Sequence, residues 1–169
     1  MENFKSKWWS WRFRQKCQSV GSGLSVTGPC VMTNEGRIEV GDGLFVRSWP
    51  HNRVEISVAR EALLKLGNRV FLNQGVRIAC TTNITIGDDA LLGDECVILD
   101  NDYHGVGGPE SKSSPVIIEP EVWLATRVIV MRGVTIGRAS VIGAGSVVTR
   151  SIPPGVFAAG VPARVIKTI

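Results

Sequence analysis

The sequence predicts an all-β solenoid, a stack of short parallel strands wound around one core, and three observations carry that expectation. Ile118, Leu124, Val130, Ile136, Ile142 and Val148 fall six residues apart without a slip. The residue two places earlier is small or apolar each time: Val116, Val122, Val128, Val134, Ser140 and Ser146. The beat also runs upstream, through Val40 and Val46, then Leu66, Leu72 and Ile78, then Ile86, Leu92 and Ile98. A strand repeats its facing every two residues and an α-helix about every 3.6, so a period of six needs a chain that turns a corner at regular intervals. An antiparallel sandwich would instead show hairpin signals at spacings of roughly 8 to 12 residues.

Taken in order, residues 1–19 read as a basic, aromatic N-terminal extension, in which Trp8, Trp9, Trp11 and Phe13 alternate with Lys7, Arg12, Arg14 and Lys16. Such a segment can make weak contact with an anionic membrane surface. Capping of the first coil, or contact with another subunit, is the simpler reading, because the end of a stack exposes core residues. Residues 20–155 form the solenoid, with each hexapeptide a short strand plus its corner. Gly41, Gly67, Gly87, Gly93, Gly137 and Gly143 directly follow beat positions and are expected to supply unusual backbone conformations there. Ile152-Pro153-Pro154-Gly155 breaks the beat, and 156–169 is expected to leave the stack as a C-terminal extension.

Two stretches interrupt the beat. Ser48 to Arg53 holds His51 beside Pro50 and Asn52, a corner or loop to which no chemistry is assigned. The longer one, about 100–115, contains Asp100, Asp102 and His104 at alternate positions. In an extended chain these would point to one side, so that a carboxylate could orient the imidazole of a general base. Insertions in solenoids become loops on one face, often the functional one.

With 169 residues, 44% of them hydrophobic, the chain is expected to form one soluble domain. Its apolar runs are too short to span a bilayer and its start lacks a signal-peptide core, so the expectation is cytoplasmic, up to the inner face of the membrane. Cys17, Cys30, Cys80 and Cys96 are scattered without a Cys-x-x-Cys pair, which implies buried thiols and no metal site. From Val122 to Ile169 there is no Asp or Glu, whereas Arg127, Arg132, Arg138, Arg150, Arg164 and Lys167 are all present. That imbalance calls for an anionic partner. Nucleic acid is set aside for want of stacking aromatics and a recognition helix, which leaves a phosphate-bearing cofactor.

The stretches Val122-Trp123-Leu124, Val134-Thr135-Ile136-Gly137, Val141-Ile142-Gly143-Ala144-Gly145-Ser146, Ile152-Pro153-Pro154-Gly155 and Ala159-Gly160-Val161-Pro162-Ala163-Arg164 resemble the hexapeptide-repeat acyltransferases. With Asp102-Tyr103-His104-Gly105 ahead of the Trp-containing coil, the chain is most similar to the maltose and galactoside O-acetyltransferases and those of surface-polysaccharide biosynthesis. The resemblance implies a left-handed parallel β-helix, a homotrimer with sites between subunits, and acetyl transfer from acetyl-CoA to a sugar or glycan hydroxyl without a metal. By motif it implies His104 as catalytic base and Asn73, Phe71, Trp123 and Asp102 on the acceptor side. For the cofactor it implies Thr126, Ala144 and Thr149 along the pantetheine groove, with Arg164 and Lys167 near the nucleotide. The chain differs from the usual pattern at Ala125, where glycine is common, and at Arg127 and Arg138. Amino-sugar N-acetyltransferases and a non-catalytic scaffold for glycan assembly are the alternatives. The γ-class carbonic anhydrases, which share the solenoid, need three histidines where this chain has two.

Overall fold

The computed structural model describes residues 4–105, 108 and 110–169. Met1 to Asn3 of the predicted extension, and Val106, Gly107 and Pro109 of the predicted loop, lie outside the described residues. Three sheets of short strands form the sides of a parallel β-helix, and successive strands pass from one side to the next. The first side holds Ser19–Val20, Arg37–Val40, Leu63–Leu66, Asn83–Ile86, Val116–Ile118 and Thr135–Ile136. The second holds Ser25–Val26, Phe45–Val46, Phe71–Leu72, Leu91–Leu92, Trp123–Leu124 and Val141–Ile142. The third holds Val31–Asn34, Glu55–Val58, Arg77–Cys80, Val97–Leu99, Ile129–Val130 and Val147–Val148.

Beat positions stack in register from coil to coil. Val46, Leu72, Leu92, Leu124 and Ile142 pair in sequence on the second side and are buried, and Ile56, Ile78, Ile98, Val130 and Val148 do the same on the third. Each row puts branched apolar side chains directly above one another, which buries the area that stabilises the stack. Ser140 and Ser146 occupy core positions because their hydroxyls donate to the carbonyls of Pro153 and Gly143.

The glycines after the beat do a different job from the one expected. None of the six lies in the left-handed region; left-handed residues sit two places later, among them Gly43, Arg69, Asp89, Glu95, Glu121, Arg127, Ala139 and Gly145. The glycine itself is where adjacent coils touch. A Cβ on Gly67 would sit 2.7 Å from the Asp88 amide nitrogen and 2.9 Å from the Gly87 carbonyl carbon, atoms of the next coil's backbone that cannot step aside. Gly67→Ala is therefore expected to destabilise the stack by about 1–3 kcal/mol through overpacking, seen as a lower urea midpoint with unchanged slope.

Both ends of the stack are covered. The helix Phe4–Arg14 lies across the first coil: Phe13 is buried, Trp9 packs on the core, Ser6 Oγ donates to the Val26 carbonyl and Ser10 Oγ accepts from the Val26 amide. These bonds close the free edge of the first strand on the second side, which would otherwise be open to pairing. At the far end the stack runs further than the sequence reading has it. Val156–Gly160 pairs in parallel with Val141–Ile142, and Ala163–Thr168 folds back antiparallel on it, so the segment after Gly155 extends the second side instead of leaving it. Its composition hides this, because a single added strand shows no period.

Candidate active site

The predicted loop leaves the third side after Leu99 and returns to the first at Val116, at the corner between those two sides. Asp100 fixes its base. The fully buried carboxylate accepts from the Thr81 amide (2.8 Å) and hydroxyl (2.8 Å), the Thr82 amide (2.7 Å) and hydroxyl (3.0 Å), and the Asn83 amide (3.0 Å). Burial alone would push this carboxyl up, but the amides of Thr82 and Thr81, the Thr81 hydroxyl and Asn101 reverse that and hold it below the usual range. Asn101 bridges to Ser113, the Asp102 amide donates to the Lys112 carbonyl, and the Ser114 amide donates to the Asp100 carbonyl. The loop thus has a two-stranded neck.

Above the neck the chain is not extended. Tyr103 is left-handed (φ 56°), its amide donates to Asn101 Oδ1, and the His104 amide donates back to the Asp102 carbonyl at 2.6 Å. The expected alignment of Asp100 and Asp102 beside the imidazole is thereby broken. Asp100 points down into the Thr81–Asn83 corner, and Asp102 Oδ2 lies 2.6 Å from Arg132 Nε of the following coil, an ion pair without directed hydrogen-bond geometry. His104 is exposed, and its imidazole has no side-chain partner among the described residues. Sequence reasoning missed Arg132 as the partner of Asp102. That pair left no signal in the spacing; the corner under Asp100 did, since Ile78 and Ile86 lie two residues further apart than the beat, with Thr81 and Thr82 between them.

Phe71 and Trp123 share the outer surface of the second side, two coils apart with Leu91 between them, and Trp123 is half exposed. Phe71 stacks on Phe45 with centroids 5.3 Å apart, and the Arg47 guanidinium lies 5.4 Å over its ring. Asn73 follows at the corner between the second and third sides, its Oδ1 accepting from the Gln74 amide. Thr126 and Ala144 lie at that same corner in successive coils, where the Gly145 amide donates to the Thr126 carbonyl. Thr149 follows Val148 at the other edge of the third side, the corner from which the His104 loop springs. One chain therefore brings Asn73, Thr126 and Ala144 to one edge of the third side, and His104 and Thr149 to the opposite edge.

The cationic surplus narrows in the folded chain. Arg127 pairs with Glu95 at 2.7 Å, Arg138 with Glu121, and Arg132 with Asp102. Among the described residues this leaves Arg150, Arg164 and Lys167 of the acid-free segment without a carboxylate. Arg164 and Lys167 lie on the terminal hairpin, opposite Ala159 and Phe157. No cluster of three metal-ligating side chains occurs among the described residues. All four cysteines are unpaired, and burial pushes their thiols up, to about 12 for Cys17 and Cys80 and about 11 for Cys30 and Cys96.

The fold that carries these residues recurs in a known family. Residues 115–150 match the family described as bacterial transferase hexapeptide (six repeats). The chain is 31% identical over 156 residues to WbbJ of Escherichia coli K12, a protein named for O-acetyl transfer in lipopolysaccharide biosynthesis, covering 82% of this chain and 76% of that one. It is 41% identical over 111 residues to the galactoside O-acetyltransferase of the same organism, covering 63% of this chain and 54% of the relative. The structure of a galactoside acetyltransferase in complex with coenzyme A superposes with a TM-score of 0.60 at 30% identity, over 92% of this chain and 67% of that one. The chain belongs to the hexapeptide-repeat acyltransferases, and its solenoid is the left-handed parallel β-helix. It spans about half the length of the first curated relatives it matches.

Proposed function

We propose that this protein is a homotrimeric acetyltransferase that moves acetyl from acetyl-CoA to a hydroxyl of a sugar or glycan precursor. The observation that carries the reading is the division of the predicted site between the two edges of the third side. His104 and Thr149 lie at one edge and Asn73, Thr126 and Ala144 at the other, so chains packed side by side around a threefold axis complete the site at each junction. The galactoside acetyltransferase that binds coenzyme A, and the O-acetyl transferases named above, support the choice of acetyl donor and hydroxyl acceptor.

In this mechanism the His104 imidazole removes the proton of an acceptor hydroxyl as its oxygen attacks the thioester carbonyl. The tetrahedral intermediate then expels the CoA sulfur, which takes the proton from the imidazolium, giving ester and free thiol. A backbone N–H at a coil corner supplies the oxyanion donor. Direct transfer fits the cysteines, of which Cys80 and Cys96 are buried and Cys17 and Cys30 half-buried, with thiols pushed up by burial and none in the loop. Phe71 and Trp123 offer flat apolar surface to a sugar ring, Asn73 holds the acceptor, and Asp102 acts on that side through the loop it ties to Arg132.

Acetyl-CoA suits the chain's own residues: Arg164 and Lys167 are exposed cations of the acid-free segment with no carboxylate partner among the described residues, as the nucleotide phosphates require. Changing both to Ala is expected to weaken CoA binding about tenfold near 0.1 M salt, with the gap shrinking at 1 M, by calorimetry. The reading as a whole is tested by thiol release from acetyl-CoA against sugars, amino sugars and lipid-linked glycan precursors, with a scattering mass alongside. Acceptor-dependent release from a particle of about 55 kDa, three times the 18.3 kDa chain, is the expected result. Release with amines alone would move the acceptor class to N-acetylation, and neither release nor CoA binding would leave a scaffold.

A further inference from the structure

The chain has five tryptophans, and the fold gathers four of them at one end. The helix Phe4–Arg14 spends Trp9, Phe13, Ser6 and Ser10 on the first coil. Its opposite face exposes Trp8 (43%) and Trp11 (58%). The insertion in the second coil closes as a tight hairpin, bridging Trp49 to Asn52, and raises Trp49, 49% exposed, beside the helix. Trp8, Trp9, Trp49, Pro29 and Pro50 line one mostly apolar cleft of about 720 Å³, with Lys5 at its edge. Capping the stack accounts for Trp9 and Phe13, and leaves Trp8, Trp11 and Trp49 unexplained.

Charge says what this face meets. From Asn3 to Asn34 there is no Asp or Glu, while Lys5, Lys7, Arg12, Arg14 and Lys16 are present, and the hairpin adds Arg47 and Arg53. Arg14 is committed to the Val20 and Gly21 carbonyls and Arg12 lies 5.0 Å over Trp8, but Lys5, Lys7 and Lys16 have no carboxylate partner among the described residues. A second copy docked on the same face would bring like charges together. We infer that this end of the solenoid is a docking surface for an anionic lipid bilayer, in which Trp8, Trp11 and Trp49 enter the interface and Lys5, Lys7 and Lys16 meet lipid phosphates. In a threefold assembly all three such ends face the same way, so the contacts add on one membrane. The additivity alone rests on the trimer proposed above; the surface itself does not.

The test uses the full chain with phosphatidylcholine vesicles, alone or with about 30% phosphatidylglycerol. Co-sedimentation with the anionic vesicles and a blue shift of tryptophan emission are expected, with little of either on the neutral ones. Lys5→Glu with Lys7→Glu should lower partitioning at least tenfold, and Trp11→Ala with Trp49→Ala should lower it while leaving the melting temperature and CoA binding unchanged. No partitioning into anionic vesicles overturns the inference, as does partitioning indifferent to both double variants. So does concentration-dependent self-association that Trp11→Ala and Trp49→Ala abolish without any vesicle binding, which would assign the face to a second copy. None of these readouts depends on transfer activity, so failure here and failure of the acetyltransferase reading are told apart.

Discussion

His104→Ala is expected to lose about 10²- to 10⁴-fold of acceptor-dependent thiol release while binding CoA within about twofold of the unaltered protein. The size follows from what a positioned base supplies once both substrates are aligned. The split follows from where the residue sits: on an exposed loop at one corner, away from Arg164 and Lys167 on the terminal hairpin. The measurement is steady-state turnover beside calorimetric CoA binding. Unchanged turnover would remove His104 from the mechanism and leave the loop as an acceptor gate. A loss of CoA binding to match would mean that the loop helps to form the donor site. His104→Gln, which keeps a polar group but cannot take the proton, is expected to fall with the alanine variant.

Much of the architecture was legible because a solenoid writes its period into neighbouring residues. The beat from Ile118 to Val148 marks the core rows, and every member of it is buried. The Asp102–His104 loop stood out for the same reason, as the place where the period fails. What was hidden lies in contacts between coils, which join residues some 17 to 32 apart, as in Arg138 with Glu121 and Arg127 with Glu95. Read along the chain, the segment after Val122 is a block of uncompensated positive charge. Read down the stack, three of its six cations are matched by carboxylates that precede the block, and only the last coil and the hairpin stay cationic.

The glycines show the same limit. Position after the beat could be read from the sequence, but whether glycine is needed there for its backbone angle or for lack of a side chain depends on the coil above. At Gly67 that coil supplies Asp88 and Gly87, and crowding decides. The left-handed angle falls instead on residues such as Arg69 and Asp89, which also pair with each other at 2.7 Å. Asp102 was misread in a related way: two-residue alternation assumes an extended chain, and the left-handed Tyr103 ends that assumption one residue before His104.

Asp100→Ala should be the most damaging change outside the reacting groups. It removes the acceptor of three backbone amides and two threonine hydroxyls at once, a fully buried carboxylate facing donors of the half-buried Thr81 and Asn83 and the exposed Thr82. A buried donor left unsatisfied costs roughly 1–3 kcal/mol; water reaching the more exposed of these donors, and relaxation of the corner, leave an expected loss of about 3 kcal/mol, measured by urea unfolding. Asp100→Asn keeps the shape but turns donors toward donors on one side, and should lose about half as much. Because the carboxyl sits below its ordinary range in the folded chain, its contribution is complete above the unfolded value of about 3.9 and fades as pH falls through the lower folded value. The Asn variant should therefore show a shallower acid limb in a stability profile between about pH 5 and pH 2. Turnover should fall as well, by about 10²-fold, since a neck that no longer holds Asn101 and Asp102 lets His104 drift by an ångström or more. CoA affinity, which the proposed reading assigns to other coils, should stay put. A variant that loses stability yet turns over normally would show that the loop keeps its own shape, and the positioning of His104 would then belong to the Asp102–Arg132 pair alone.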